Sequence, residues 1–304
     1  MLSVLMMAIY GCNNPSDKSA TELRFGVVAD VQYAEKPVAM GRYYAQSLPM
    51  LQRCVDDFNR TGPEFVIQLG DIIDGGDNAA AEMQSVVDIY DTLTMPHYHV
   101  LGNHDFSGID RDTTMGMLGL KQGWYAFDVK GWRFIVLDTQ DRAIEGGWRE
   151  DSEQYKQSAA MLKDAQAARK PNAQSYNGGF SDEQLQWLDA QLNDADTQNK
   201  SVILFGHLPL MPQGETHTAW NAEEVVAVIE KHDCVRAYFC GHRHGGGYTL
   251  HNNIHYLTFE AMVDAADAQG AWAGVQLLPD QIVIDGAGAV SDQVLTFPLN
   301  DTNE

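Results

Sequence analysis

Five short apolar runs in this chain each lead into side chains that can hold divalent cations. The first ends in Ala29-Asp30-Val31-Gln32 and the second in Gly70-Asp71-Ile72-Ile73-Asp74-Gly75. The third ends in Gly102-Asn103-His104-Asp105, the fourth in Gly206-His207-Leu208-Pro209 and the fifth in Gly241-His242-Arg243-His244. A carboxylate has two oxygens and can bridge two cations, while imidazole and amide oxygen are neutral donors. Two divalent ions outweigh the charges of Asp30, Asp71 and one bridging hydroxide, so such a centre stays positive and attracts phosphate. Two ions a few ångströms apart can bind both the attacking and the leaving oxygen of an in-line displacement. Any one of these motifs is a common turn. The ordered set, each member behind its own apolar run, points to a dinuclear centre.

The elements that must position these groups are legible as alternating patterns. Strand-like runs are expected at residues 24–29, 64–69, 97–101, 133–137, 201–205, 235–239, 254–259, 272–278 and 281–284, the last two joined by a hairpin at Pro279-Asp280. Helix-period segments are expected at 44–59, 80–93, 181–192 and 223–231, the third opening with the capping sequence Ser181-Asp182-Glu183-Gln184. This alternation, followed by late strands, predicts an α/β layered domain with a mixed sheet. Functional groups just past the C-terminal ends of strands are where such sheets build sites. Glycine before Asp71, Asn103, His207 and His242 permits tight turns and close backbone approach. Residues 142–180 are polar and weakly patterned, and read as a long loop with some helix laid over the site.

The order D-x-Q, GDxxDG, GNHD, GH and GHxH resembles the calcineurin-like metallophosphoesterases, and within them the manganese-dependent ADP-ribose/CDP-alcohol diphosphatases. The likeness extends to Phe25 through Ala34, Arg42-Tyr43-Tyr44, Asn177-Gly178-Gly179-Phe180-Ser181, Gln184 through Leu188, Ala219-Trp220-Asn221 and Gly246-Gly247-Tyr248, and covers residues 24–290. Gln32 is telling, because most of the superfamily has histidine there. The resemblance implies a four-layer α-β-β-α sandwich of two mixed sheets flanked by helices. It implies one metal held by Asp30, Gln32, Asp71 and His244, and another by Asp71, Asn103, His207 and His242. His104 would protonate the leaving oxygen, with Asp74 orienting it. The implied nucleophile is a metal-bound hydroxide and the implied metal is Mn²⁺, which suits the amide oxygen of Gln32. Asn177, Gly178, Gly179 and Trp220 are expected near the substrate, a small nucleotide diphosphate such as ADP-ribose or a CDP-alcohol. A broader phosphodiesterase or phosphomonoesterase is the alternative. A non-catalytic interaction module is disfavoured because every ligand position and His104 are filled.

Forty-two acidic against twenty basic residues leave a net charge of −22, which speaks against nucleic acid or an anionic membrane as partner. Residues 1–22 read as a lipoprotein signal and tether ahead of a domain at 23–304. The apolar stretch Leu2 to Tyr10 leads into Ile9-Tyr10-Gly11-Cys12, although no cation precedes it. That reading places the protein in the periplasm or cell envelope, with membrane contact only through a lipid on Cys12; without the signal it is cytoplasmic. Cys234 and Cys240 flank one strand-like run and are roughly 20 Å apart at about 3.3 Å per residue, so free buried thiols are expected. His97 and His99 read as structural, His217 as a pocket contact or a loop residue, and His251 and His255 as strand surface.

Overall fold

The computed structural model of the protein describes residues 22–266 and 269–297. The expected signal and tether lie outside them except for Glu22. None of the described helices is long and apolar enough to cross a membrane.

Two six-stranded mixed sheets face each other. The first has the order β14-β13-β12-β1-β2-β3 and the second β10-β11-β9-β8-β5-β4. In the first, β1 (Leu23–Val28), β2 (Phe65–Gln68) and β3 (His97–His99) run parallel. The antiparallel hairpins of β12 (Ala271–Leu277), β13 (Gln281–Gly288) and β14 (Gln293–Thr296) extend it. In the second, β5 (Trp132–Val136), β8 (Ser201–Phe205), β9 (Val235–Cys240) and β11 (Ile254–Glu260) run parallel. Antiparallel β4 (Tyr125–Val129) and β10 (Gly245–His251) form its two edges.

Strand alternation builds the seam between the sheets. Phe25 and Phe65 project from the first sheet onto Phe134 and Phe205 of the second. Phe25 and Phe65 stack at 4.9 Å, and Phe65 meets Phe134 edge-on at 4.8 Å. All four are essentially buried. Each such ring contributes about 1.5–3 kcal/mol by burial, and each pair adds roughly 0.5–1.5 kcal/mol. The opposite faces carry helices. Gly26 turns the other way from Phe25, and a Cβ there would lie 2.7 Å from the Phe58 ring of α1 (Tyr44–Thr61). Helix α1 packs beside α2 (Ala79–Tyr90). Ile135, Val202 and Leu204 face away from the seam, onto Leu188 and Leu192 of α5 (Asp182–Thr197) and Val225 and Ile229 of α6 (Ala222–Ile229). The Ser181 hydroxyl caps α5 by accepting from the Gln184 N–H. The layers are helix, sheet, sheet, helix, as the resemblance implied.

Several elements go beyond the sequence reading. Helix α3 (Arg111–Met117) follows the third motif. The weakly patterned 142–180 stretch contains α4 (Glu153–Ala167) and the short β6–β7 pair at Arg142–Ala143 and Gly178–Gly179. Helix α4 buries only Ser158 and Ala165, so it has almost no apolar stripe to recognise. Cys54, Cys234 and Cys240 are free and buried. His255 was expected on a strand surface, but it is buried between the Tyr248 hydroxyl at 3.0 Å and the Thr296 carbonyl at 3.2 Å. The edge strand β10 and the terminal β14, neither read from the sequence, supply that cover.

Candidate metal centre

The five ligand motifs meet where the C-terminal ends of the parallel strands come together. β1, β2 and β3 deliver theirs from one sheet, and β8 and β9 from the other. The chain is forced out of strand geometry at once. Asp30, Gln32, Asp71 and His242 have φ of 50°, 41°, 54° and 66°. These four are among only ten non-glycine residues with positive φ in the described chain. Left-handed backbone costs a non-glycine residue about 1–2 kcal/mol, and it persists only where the surroundings over-determine it.

Here the surroundings are other ligand loops. The Gln32 N–H donates to the Asp71 carbonyl at 2.9 Å, and the Val263 N–H donates to the Asp30 carbonyl at 3.0 Å. The Asp30 carboxylate accepts from the His242 N–H at 3.0 Å. Asp105, fully buried, accepts from the N–H groups of Asp71, Ile72 and Gly102 at 3.1, 2.8 and 2.8 Å, pinning the second motif to the third. The glycines interlock in the same way. A Cβ on Gly102 would lie 2.2 Å from Asp71 Oδ1, one on Gly241 2.3 Å from Asp30 Oδ2, and one on Gly70 2.6 Å from His207 Nδ1.

Asp71 sits at the middle. Its Oδ2 accepts from Gln32 Nε2 at 3.1 Å and lies 3.2 Å from His207 Nε2, while Oδ1 accepts from the His104 N–H at 2.8 Å. On one side, His244 Nε2 lies 3.2 Å from Gln32 Nε2 and 3.7 Å from Asp30 Oδ1. On the other, His242 Nδ1 lies 3.2 Å from His207 Nε2. One ligand atom each from Asp71, His207 and His242 falls within 4.8 Å of the others. Asn103 is buried between Gly102 and His104, both of which touch Asp71.

The donor set fits a pair of cations on three grounds. The side-chain oxygens of Gln32 and Asn103 are buried without a hydrogen-bond partner, a state that is costly unless a ligand is meant to satisfy it. A half-turn of the Gln32 amide presents its oxygen toward Asp71 and His244. Each ring also has an outer anchor: His207 Nδ1–H donates to the Leu69 carbonyl at 2.8 Å, His242 Nε2 meets Asn177 Oδ1 at 3.0 Å, and His244 Nδ1 meets Asp264 Oδ1 at 3.0 Å. Finally, the electrostatics of the site favour positive charge where a metal would sit. Burial opposes charge on His207, but Asp71 and Asp30 outweigh it and push the imidazole up to about 9. Burial likewise works against charge on Asp71, yet His207 and His104 hold its carboxyl well below the usual range. Burial raises Asp30, and burial with His207 pushes His242 well below its ordinary value. A metal ion replaces such a proton and releases it.

His104 lies at the edge of this cluster and lines a cavity of about 460 Å³ with Asp74, Gly75, Ser107 and Trp148. Its Nδ1–H donates to the Asp74 carbonyl at 3.0 Å, and the Asp74 carboxylate is 3.6 Å away. Asp74 therefore holds the ring chiefly through its backbone. Its carboxylate also pairs with Lys36 and stands 3.9 Å from Arg42.

The residues expected near the substrate are all buried. Trp220 is 1% exposed and its indole N–H donates to the Gln174 carbonyl, so it is packed into the interior. Gly178 and Gly179 are buried, and a Cβ at either would strike the Thr139 carbonyl or Asn221 Oδ1. Asn177 is fully buried behind His242. Of the four, Asn177 is the one that touches a ligand motif directly. The mouth is formed by side chains to which the sequence reading gave no role, together with His217. Tyr176 and His217 stack at 5.9 Å, with ring centres 5.8 and 5.7 Å from that of His242. Arg42, Arg243 and Met40 join His217 around a cavity of about 370 Å³. Asp105 and Asp264 were also missed. Asp105 had a signal, as the last residue of its motif; Asp264 lies in a 3-10 turn with no local pattern.

A family profile described as calcineurin-like phosphoesterase matches residues 23–246. The manganese-dependent ADP-ribose/CDP-alcohol diphosphatase of Bos taurus is 32% identical, with 93% of this chain and 96% of that protein aligned. The protein of the same name from Oryza sativa subsp. japonica is 32% identical over 90% of this chain and 94% of its own. The crystal structure of a dimetal phosphatase from Danio rerio superposes with a TM-score of 0.82 at 30% identity, covering 91% of this chain and 99% of that one.

Proposed function

The chain belongs to the calcineurin-like phosphoesterase family, and from that premise we propose that it hydrolyses the diphosphate bond of ADP-ribose or a CDP-alcohol. The products are a nucleoside monophosphate and a phosphorylated alcohol. Asp30, Gln32, Asp71 and His244 would hold one divalent cation, and Asp71, Asn103, His207 and His242 the other, with manganese the metal of the named relatives. The bound cations supply an acidified water and neutralise charge on the phosphate. The chain's own residues do the rest. Asp71 fixes the spacing of the two donor sets, and the Asp105 carboxylate keeps the Asp71 and Gly102 loops from moving apart. His104 spends Nδ1–H on the Asp74 carbonyl, so Nε2 is the nitrogen left to deliver a proton to the leaving oxygen. Arg42 and Arg243 place positive charge at the mouth of an otherwise acidic protein.

The observation that supports this most strongly is the gathering around Asp71 of donors from four other strand ends in two sheets, with two orphaned amide oxygens among them. The test is turnover of ADP-ribose and CDP-choline with and without added Mn²⁺, alongside His104→Ala. Release of AMP and CMP should require Mn²⁺, and the variant should lose about 10²–10⁴-fold in kcat. Failure to cleave either compound with Mn²⁺ overturns the activity, and a fully active variant overturns the role of His104. The lipoprotein motif ending at Cys12 supports a cell-envelope location; recovery of the native protein in the cytosolic fraction rules that out.

A further inference from the structure

We propose that Asn177 is a positioning residue that fixes which nitrogen of His242 faces a cation, and ties that ring to the loops at the mouth of the site. The inference rests on the cation-binding reading of the centre.

Asn177 is fully buried, and its amide has no freedom to turn over. Nδ2 lies 2.9 Å from the Asn172 carbonyl and 2.7 Å from the Thr216 carbonyl. Both carbonyls can only accept, so the amide must present its two N–H groups to them. Oδ1 is thereby turned toward His242 Nε2 at 3.0 Å. An amide oxygen can only accept, so that nitrogen must carry hydrogen. The lone pair of the neutral ring is left on Nδ1, the atom that lies 3.2 Å from His207 Nε2 and belongs to the Asp71–His207–His242 cluster. A ring turned over or protonated on the other nitrogen would face Oδ1 with a lone pair or a carbon.

The two carbonyls also make Asn177 a clamp. Thr216 precedes His217, and Tyr176 precedes Asn177 itself. The rings of Tyr176 and His217 stack on each other and both reach His242. One buried amide thus joins the donor orientation of His242 to the two aromatic side chains at the mouth. It serves only one of the two donor sets, because His244 is anchored separately by Asp264.

Asn177→Leu removes the acceptor and both donors while keeping the branching and number of heavy atoms. Asn177→Asp keeps the acceptor but turns an oxygen on the two carbonyls. In calorimetric titrations with Mn²⁺, the leucine variant should lose about 10–100-fold in affinity at one of two sites and leave the other unchanged. The aspartate variant should keep both affinities although it is at least as destabilised in EDTA. A purely structural role predicts that affinity follows stability in both variants. Parental affinity at both sites in Asn177→Leu, or equal losses in the two variants, overturns the proposal. A third measurement needs no variant: long-range ¹⁵N–¹H correlation of the metal-free parent should show His242 protonated at Nε2, and finding it protonated only at Nδ1 overturns the proposal. If the parent itself binds no Mn²⁺, it is the reading of the centre that fails, and the nitrogen assignment remains separately measurable.

Discussion

Gly102→Ala tests whether the packing of one ligand loop against another sets the geometry of the centre. The added Cβ would lie 2.2 Å from Asp71 Oδ1 and 2.3 Å from Asp71 N, about 1.2 Å short of the 3.4 Å at which ordinary contact begins. Neither side can yield alone. The Asp71 N–H and the Gly102 N–H are held by the same Asp105 oxygen, at 3.1 and 2.8 Å, and Asp71 Oδ1 is held by the His104 N–H. The strain should cost about 1–3 kcal/mol of stability. The effect on function should be larger, because a misplacement of about 1 Å costs roughly 10²-fold in rate, or about 2.7 kcal/mol. Mn²⁺ affinity by calorimetry and kcat/KM on CDP-choline read it. Gly116→Ala is the control: its Cβ meets nothing within 4 Å, and it lies in helix α3, so stability should rise by about 0.5–1 kcal/mol. A Gly102→Ala protein with parental Mn²⁺ affinity and turnover would refute the interlocking account.

Two further substitutions probe the scaffold. Burial and the neighbouring His97 push the His99 imidazole down from 6.5 to about 3. The unfolded chain therefore binds a proton that the folded one refuses, so stability is full above about 6.5 and falls as the pH drops toward 3, at up to about 1.36 kcal/mol per pH unit. His99→Leu should flatten urea-unfolding stability across that window, and an unchanged slope would reject the assignment. The Arg111 guanidinium is buried against Asp138, donates to the Gly146 carbonyl at 2.8 Å and lies between the Trp148 and Phe106 rings at 4.2 and 5.0 Å. Arg111→Met should cost about 3–5 kcal/mol by stranding the Asp138 charge. Adding Asp138→Asn should recover most of it; a double variant no more stable than Arg111→Met would show that the loss is packing alone.

The five motifs that the structure brings together could be picked out because each follows a strand, four of them with a glycine between, and these local signals survive without knowledge of tertiary structure. Strands with a fully apolar face, such as β8, were legible for the same reason. Helix α4 was not, because a mostly exposed helix has no stripe. Asn177 and Trp220 were expected near the substrate, and the structure buries both. A residue directly behind a metal ligand and one in front of it leave the same trace in a motif, and only burial separates them. Tyr176 and Arg243 adjoin Asn177 and His242 in the sequence, but which way their side chains turn is set by long-range packing that no spacing rule encodes.

The donors are shared between the sheets: β1, β2 and β3 belong to one and β8 and β9 to the other. Bound ions would therefore act as a rivet across the seam, resisting the sliding of one sheet over its neighbour at the C-terminal ends of these strands. Loss of the ions would loosen that end first, so the lifetime of the protein on heating should track free metal concentration as closely as it tracks the quality of the core.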